Sequence, residues 1–233
     1  MTPYRKTGFR IAAALALAYV AMAGRSQAEE LSPVGLAPGS PYILVFVTND
    51  TYTATSTAIG TYNAEVNTEA NGIAALAALM TTWSAIGSTS SVNAIDNIGS
   101  NPGVPIYDLN GDLIAADDTL AGLFSGSLLN PINIDENGDT LNNFVWTGSL
   151  SDGTAWVGHA LGPGGPDFGD SSSSGSHWIT YATTTSGASE SLYAISGVLT
   201  TAPVPEPSTL AMMALGGAIL LLAGSRKKTH SPA

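Results

Sequence analysis

Two short acidic segments carry the residue types of a calcium loop: Asp108-Leu109-Asn110-Gly111-Asp112 and Asp135-Glu136-Asn137-Gly138-Asp139. Each sets oxygen-bearing side chains at alternate positions around a glycine turn, as a hard cation requires. An EF-hand also needs Gly at its sixth position and Glu at its twelfth. Leu113 and Thr119 stand there in the first segment, Thr140 and Trp146 in the second. Polar hairpin turns are therefore expected, the first already explained by its Asn-Gly dipeptide. No cofactor is required, and calcium at Asp135, Asn137 and Asp139 is the alternative left open.

A second group is His159 and His177, flanking Asp167 and Asp170 in a Gly/Ser-rich stretch. Two imidazoles and a carboxylate are the donors of an open zinc site, and a serine beside them is a potential nucleophile. Neither H-E-x-x-H nor G-x-S-x-G occurs, and nothing fixes the carboxylate separation that glycoside hydrolysis needs. The stretch reads as a solvated loop, and no enzymatic activity is expected. Trp156 and Trp178 border it, whereas Trp83 and Trp146 sit in apolar runs and read as core. Trp156, His159 and Trp178 form a candidate glycan-binding surface, because rings pack the apolar face of a sugar while acceptors take its hydroxyls. A satellite hydrophobic cluster explains the same residues.

Charge narrows the partners further. The chain of 233 residues has no cysteine and a net charge of −11. All seven Lys and Arg lie before residue 26 or after residue 225, while 17 Asp and Glu fall between Glu29 and Pro205. A body with no cation cannot exchange counterions with a phosphate backbone, so nucleic acid is excluded as a partner. Schiff-base lysines, P-loops, thiolates and disulfides are excluded by the missing residue types.

The elements that must position these residues are readable between residues 29 and 203, a length suited to one domain. Pro41 to Thr48 is a continuous β-branched and aromatic run, predicted as a buried strand. From Ser56 or Thr57 as cap, Ile59, Tyr62, Val66, Ala70, Ile73, Leu76 and Met80 recur at helical spacing, interrupted near Asn71-Gly72. Trp83–Ser88, Pro105–Tyr107, Asp112–Ala115, Phe144–Thr147 and Leu192–Leu199 are the other strand candidates. An α+β class follows.

The two ends read as addresses. Arg5, Lys6 and Arg10 precede the apolar run Ile11 to Ala23, and Ser26-Gln27-Ala28 fits a signal-peptidase site, placing a signal peptide at 1–28 with cleavage after Ala28. At the other end Val204, Pro205, Glu206 and Pro207 lead into Leu210 to Gly224 and then Arg226, Lys227 and Lys228. Fifteen apolar residues give a membrane-spanning helix of roughly 22 Å, short for a ~30 Å bilayer core. The basic cluster and the tail 229–233 stay cytoplasmic. The order Pro-Glu-Pro, short span, basic cluster over 204–228 resembles the PEP-CTERM sorting signal of exopolysaccharide-producing Gram-negative bacteria. That resemblance implies transient inner-membrane insertion, processing by an exosortase after signal peptidase, and delivery to the cell surface or extracellular matrix, where extracellular polysaccharide is the expected partner.

Within the body, Val104-Pro105-Ile106, Leu109, Leu113, Leu123-Phe124-Ser125-Gly126-Ser127 and Val145-Trp146 with Gly148, Ser149 and Gly153 resemble the endostatin domain, a variant of the C-type-lectin-like fold. The likeness spans residues 83–155, with the strand at Tyr193 to Leu199 as terminal partner. It implies that fold but not heparin binding, since the arginines are absent. The expectation is an exported surface or matrix protein, with a carbohydrate-binding lectin-like module as the alternative and a secreted hydrolase as a third reading.

Overall fold

The computed structural model describes residues 31–202. The signal peptide with its Ala28 cleavage position, and the sorting signal with its helix and with Val204, Pro205, Glu206, Pro207, Arg226, Lys227 and Lys228, lie outside the described residues. Among the described residues no helix is long and apolar enough to cross a membrane. The α+β class holds: a mixed sheet carries the body, with few and mostly short helices.

The sheet is built around two strands, β1 (Pro41–Val47) and β9 (Ser189–Ser196). They pair antiparallel, Val45 opposite Ile195 and Val47 opposite Tyr193. On β1 the odd residues Ile43, Val45 and Val47 enter one hydrophobic core, and the even residues Tyr42, Leu44 and Phe46 enter another. β9 divides likewise, Tyr193 and Ile195 against Leu192 and Ala194. Both faces of the sheet are covered here, which is why Tyr42 to Val47 and Leu192 to Ile195 read as unbroken apolar runs.

The remaining strands dock on this pair. β4 (Ile106–Asp108) lies parallel to β1, and β5 (Leu113–Ala115) returns antiparallel to β4 across the Asn110-Gly111 turn. β9 also pairs with β2 (Tyr52–Thr53), β3 (Trp83–Ala85) and, in parallel, β6 (Phe144–Trp146). From β6 the sheet continues through β7 (Asp167–Asp170) to β8 (Ala182–Thr183), and β10 (Leu199–Thr200) closes on the start of β1. β7 is not foreseen by the sequence: Asp-Phe-Gly-Asp has no apolar alternation, and its extended form comes from pairing on both sides.

Helix α1 (Ile59–Gly72) covers the second core with Tyr62, Val66 and Ala70, and α2 (Ala74–Ala77) follows after an extended Ile73, adding Leu76. The interruption therefore falls where Asn71-Gly72 placed it. Two details differ. Met80, the expected last member of the stripe, is exposed at φ 50°, because the chain has already left the helix. Ala58 is the N-cap, and Ser56 accepts the Ala58 amide at 3.2 Å ahead of the helix instead of capping it.

The polar side of α1 also has a job. Asn63 Oδ1 accepts the Ala85 amide at 2.8 Å and Asn67 Oδ1 accepts the Trp83 amide at 3.0 Å, while Asn67 donates back to the Trp83 carbonyl. Asn97, in the short helix α3 (Ala94–Ile98), donates to the Ala85 carbonyl at 2.8 Å. Side-chain amides four residues apart thus take the place of a neighbouring strand along β3. Asn67→Ala strips both Trp83 backbone groups of partners and is expected to cost about 1–3 kcal/mol in urea unfolding. The exposed Thr68→Ala serves as the control.

Candidate functional site

The stretch between Gly158 and His177 departs from a solvated loop. It contains β7, and Trp178 is fully buried at its end, with ring centroids 6.3 Å from Phe124 and 5.7 Å from Tyr193. A short 3-10 turn, Ser176–Trp178, carries it. The turn lies so close to β7 that a Cβ added at Gly169 would meet the Trp178 carbonyl oxygen at 2.0 Å. Glycine here brings backbones together instead of freeing a loop. Trp178 is therefore removed from the candidate glycan surface. Its indole Nε1 is buried with no hydrogen-bond partner.

Of the predicted trio, Trp156 and His159 do meet, both half-buried, with centroids 4.6 Å apart. The His159 Nδ1 lies 2.7 Å from the Gly165 carbonyl. His177 is exposed and packs its ring 5.1 Å from Tyr181. Among the described residues no group of three or more His, Asp or Glu is placed to hold a metal ion.

Asp167 has no exposed surface, and no hydrogen bond of ordinary geometry reaches either carboxylate oxygen. Burial pushes its pKa up to about 7, against the opposing pull of the nearby Thr180 hydroxyl, the Phe168 and Tyr181 amides and His159. Elsewhere on the body burial also raises Glu65, Asp108, Glu136 and Glu190.

The two acidic turns share one construction. Asp108 Oδ1 accepts the Asn110 and Asp112 amides at 2.9 and 2.8 Å, and Asp135 Oδ1 accepts the Asn137 and Asp139 amides at 2.9 and 2.8 Å. Both leading aspartates are buried, whereas Asn137 and Asp139 are exposed. The first carboxylate of each turn is thus engaged in holding its own backbone. Glu136 accepts the Asn49 amide at 3.0 Å. Both turn tips, with Ile73, Leu76 and Leu109, line a cleft of about 490 Å³.

A different aromatic surface lies at the β6 end of the sheet. Phe144 and Tyr181 are 44% and 48% exposed, and their rings lie 19° from parallel with centroids 5.8 Å apart. Phe168 supports them from below at 4.8 and 5.9 Å, and is itself backed by Trp146 at 6.3 Å. Phe144 also borders a cleft of about 330 Å³ lined by Thr51, Asn142, Asn143, Ser189, Glu190 and Ser191. Sequence reasoning assigned Phe144 to a strand without seeing its exposure. Alternation sets Phe144 and Trp146 on one face of β6, but only the position of Phe144 at the strand end leaves its ring in solvent.

Comparison with curated proteins finds no match to the chain. Residues 203–228 match the PEP-CTERM protein-sorting motif. The chain thus carries, shortly after β10, the signal of an exported protein sorted by an exosortase.

Proposed function

We propose that this chain is a non-enzymatic surface or matrix protein, released from its membrane intermediate by the exosortase and held in the polysaccharide the cell secretes. The observation that carries this reading is the junction between body and signal. The Thr201 amide donates to the Ser40 carbonyl at 3.0 Å, and the motif begins at residue 203. A closed domain thus runs straight into a processing sequence, the arrangement suited to cargo. The buried turn aspartates and the separate contacts of His159 and His177 support a binding or structural role over hydrolysis. The endostatin-like reading of residues 83–155, with the strand at Tyr193 to Leu199 as terminal partner, is supported by the pairing of β9 with both β3 and β6.

Intact-mass analysis of the protein recovered from the surface fraction tests the reading. The expected species begins at Glu29 and ends close to Pro205. Surface material still carrying Leu210 to Lys228 would replace the cargo reading with a permanent anchor.

A further inference from the structure

We propose that the Phe144–Tyr181 ring pair and the adjoining cleft bind a stretch of neutral polysaccharide. The inference rests on the surface-protein reading above and adds the site and the ligand chemistry to it. Two nearly parallel, partly exposed rings offer apolar faces and edges of the kind against which the C–H face of a sugar unit packs. Such rings act as anchors only if they are held in place before binding, and Phe168, itself packed on the buried Trp146, contacts both.

The cleft supplies what the rings lack. Asn142 is exposed at its rim, Glu190 is half-buried in it with its backbone in the β9 ladder opposite Tyr52, and Asn143 Nδ2 reaches the Ser191 hydroxyl at 3.1 Å. Amides, hydroxyls and a carboxylate offer both donors and acceptors to sugar hydroxyls. At about 330 Å³ the cleft falls at the lower end of the ~300–1,000 Å³ typical of small-ligand sites, enough for the sugar nearest Phe144.

Charge selects among glycans. No Lys or Arg occurs between residues 26 and 225, so a uronate or sulfate chain would meet uncompensated repulsion. A neutral chain pays no such penalty. The Trp156–His159 contact is a lesser candidate, because both rings are half-buried and lie tilted 54° to one another.

Native affinity electrophoresis of the purified full chain through gels containing β-glucan, galactomannan or dextran, with alginate as the polyanionic control, decides the matter. Retardation is expected in at least one neutral gel and not in alginate. Phe144→Ala and Tyr181→Ala should each weaken it about fivefold or more, Tyr181→Phe should retain it, and Trp156→Ala should leave it unchanged. Circular dichroism confirms that each variant is folded; both substituted rings are partly exposed, so at least one variant is expected to fold. No retardation in any neutral gel, unchanged retardation in the alanine variants, or preferential binding of alginate would overturn the proposal. So would a wild-type dimer in sedimentation that Phe144→Ala dissolves, since a second copy would then occupy the rings. None of these results touches the surface assignment, which is read from fractionation and mass.

Discussion

Trp178→Ala is expected to be among the most destabilising single substitutions in the body, at about 3–5 kcal/mol. Its ring is fully buried between Phe124 and Tyr193, and the first core collapses poorly around such a gap because the backbone of its turn is pinned against Gly169. For a body of this size the melting temperature should fall by roughly 10 °C or more. Trp178→Phe should cost far less: it keeps most of the contact and removes an indole N–H that has no partner. Trp156→Ala, at a half-buried ring, should cost less than about 1 kcal/mol. Urea denaturation of the three variants reads all these values together. Equal stability of Trp178→Ala and wild type would overturn the buried placement.

The second large effect is a gain of stability in mild acid. Asp167 titrates near 7 in the folded chain and at its ordinary 3.8 once unfolded. Between those values the folded state binds the proton that the unfolded state has already released, so stability falls as pH rises through this window. Below about 4 both states are protonated and the penalty vanishes; above about 7 it is complete, on the order of 4 kcal/mol for a shift of this size. The raised Glu65, Asp108, Glu136 and Glu190 act in the same direction, while Asp117 and Asp152, lowered chiefly by the Thr119 and Thr154 hydroxyls, oppose it from more open positions. The melting temperature should therefore climb as pH drops from 8 to about 5. Asp167→Asn should flatten much of that slope and raise stability at neutral pH. A wild-type melting temperature that falls steadily from pH 8 to 5 would show that Asp167 is not buried as an acid.

Much of this fold is legible in the sequence because β1, β9 and α1 declare themselves locally. Pro41 to Thr48 carries an unbroken β-branched and aromatic run, Leu192 to Ile195 a short apolar one, and Tyr62, Val66 and Ala70 keep helical spacing. Asn-Gly at 110–111 marks its hairpin for the same reason, since only certain residues accept that turn. The stretch around β7 is illegible by the same logic. Gly169 and the serines after it look like freedom, but the missing side chain of Gly169 serves the close approach of the Trp178 turn, which no local pattern encodes. The candidate site failed in sequence for a related reason. Which of several aromatic residues reaches solvent depends on strand ends and on what lies over the sheet, so Trp178 went inside and Phe144 and Tyr181 stayed out. The sorting signal was readable because a linear motif must be recognised without a fold.

The position of β9 has a consequence for how this chain reaches its destination. β9 is the common neighbour of β1, β2, β3 and β6, and contacts such as the Leu44 amide on the Ser196 hydroxyl join residues 152 apart in sequence. A chain emerging from its N-terminus therefore offers β1 early, with α1 and β4 available to cover it, but gains the strand that joins β1, β2, β3 and β6 only when almost the whole body has been made. Completion of the sheet thus waits for the C-terminal segment, a topology that keeps the polypeptide threadable for longer than local pairing would. The sheet can close only once β9, which ends at Ser196 shortly before the sorting motif at 203–228, is in place.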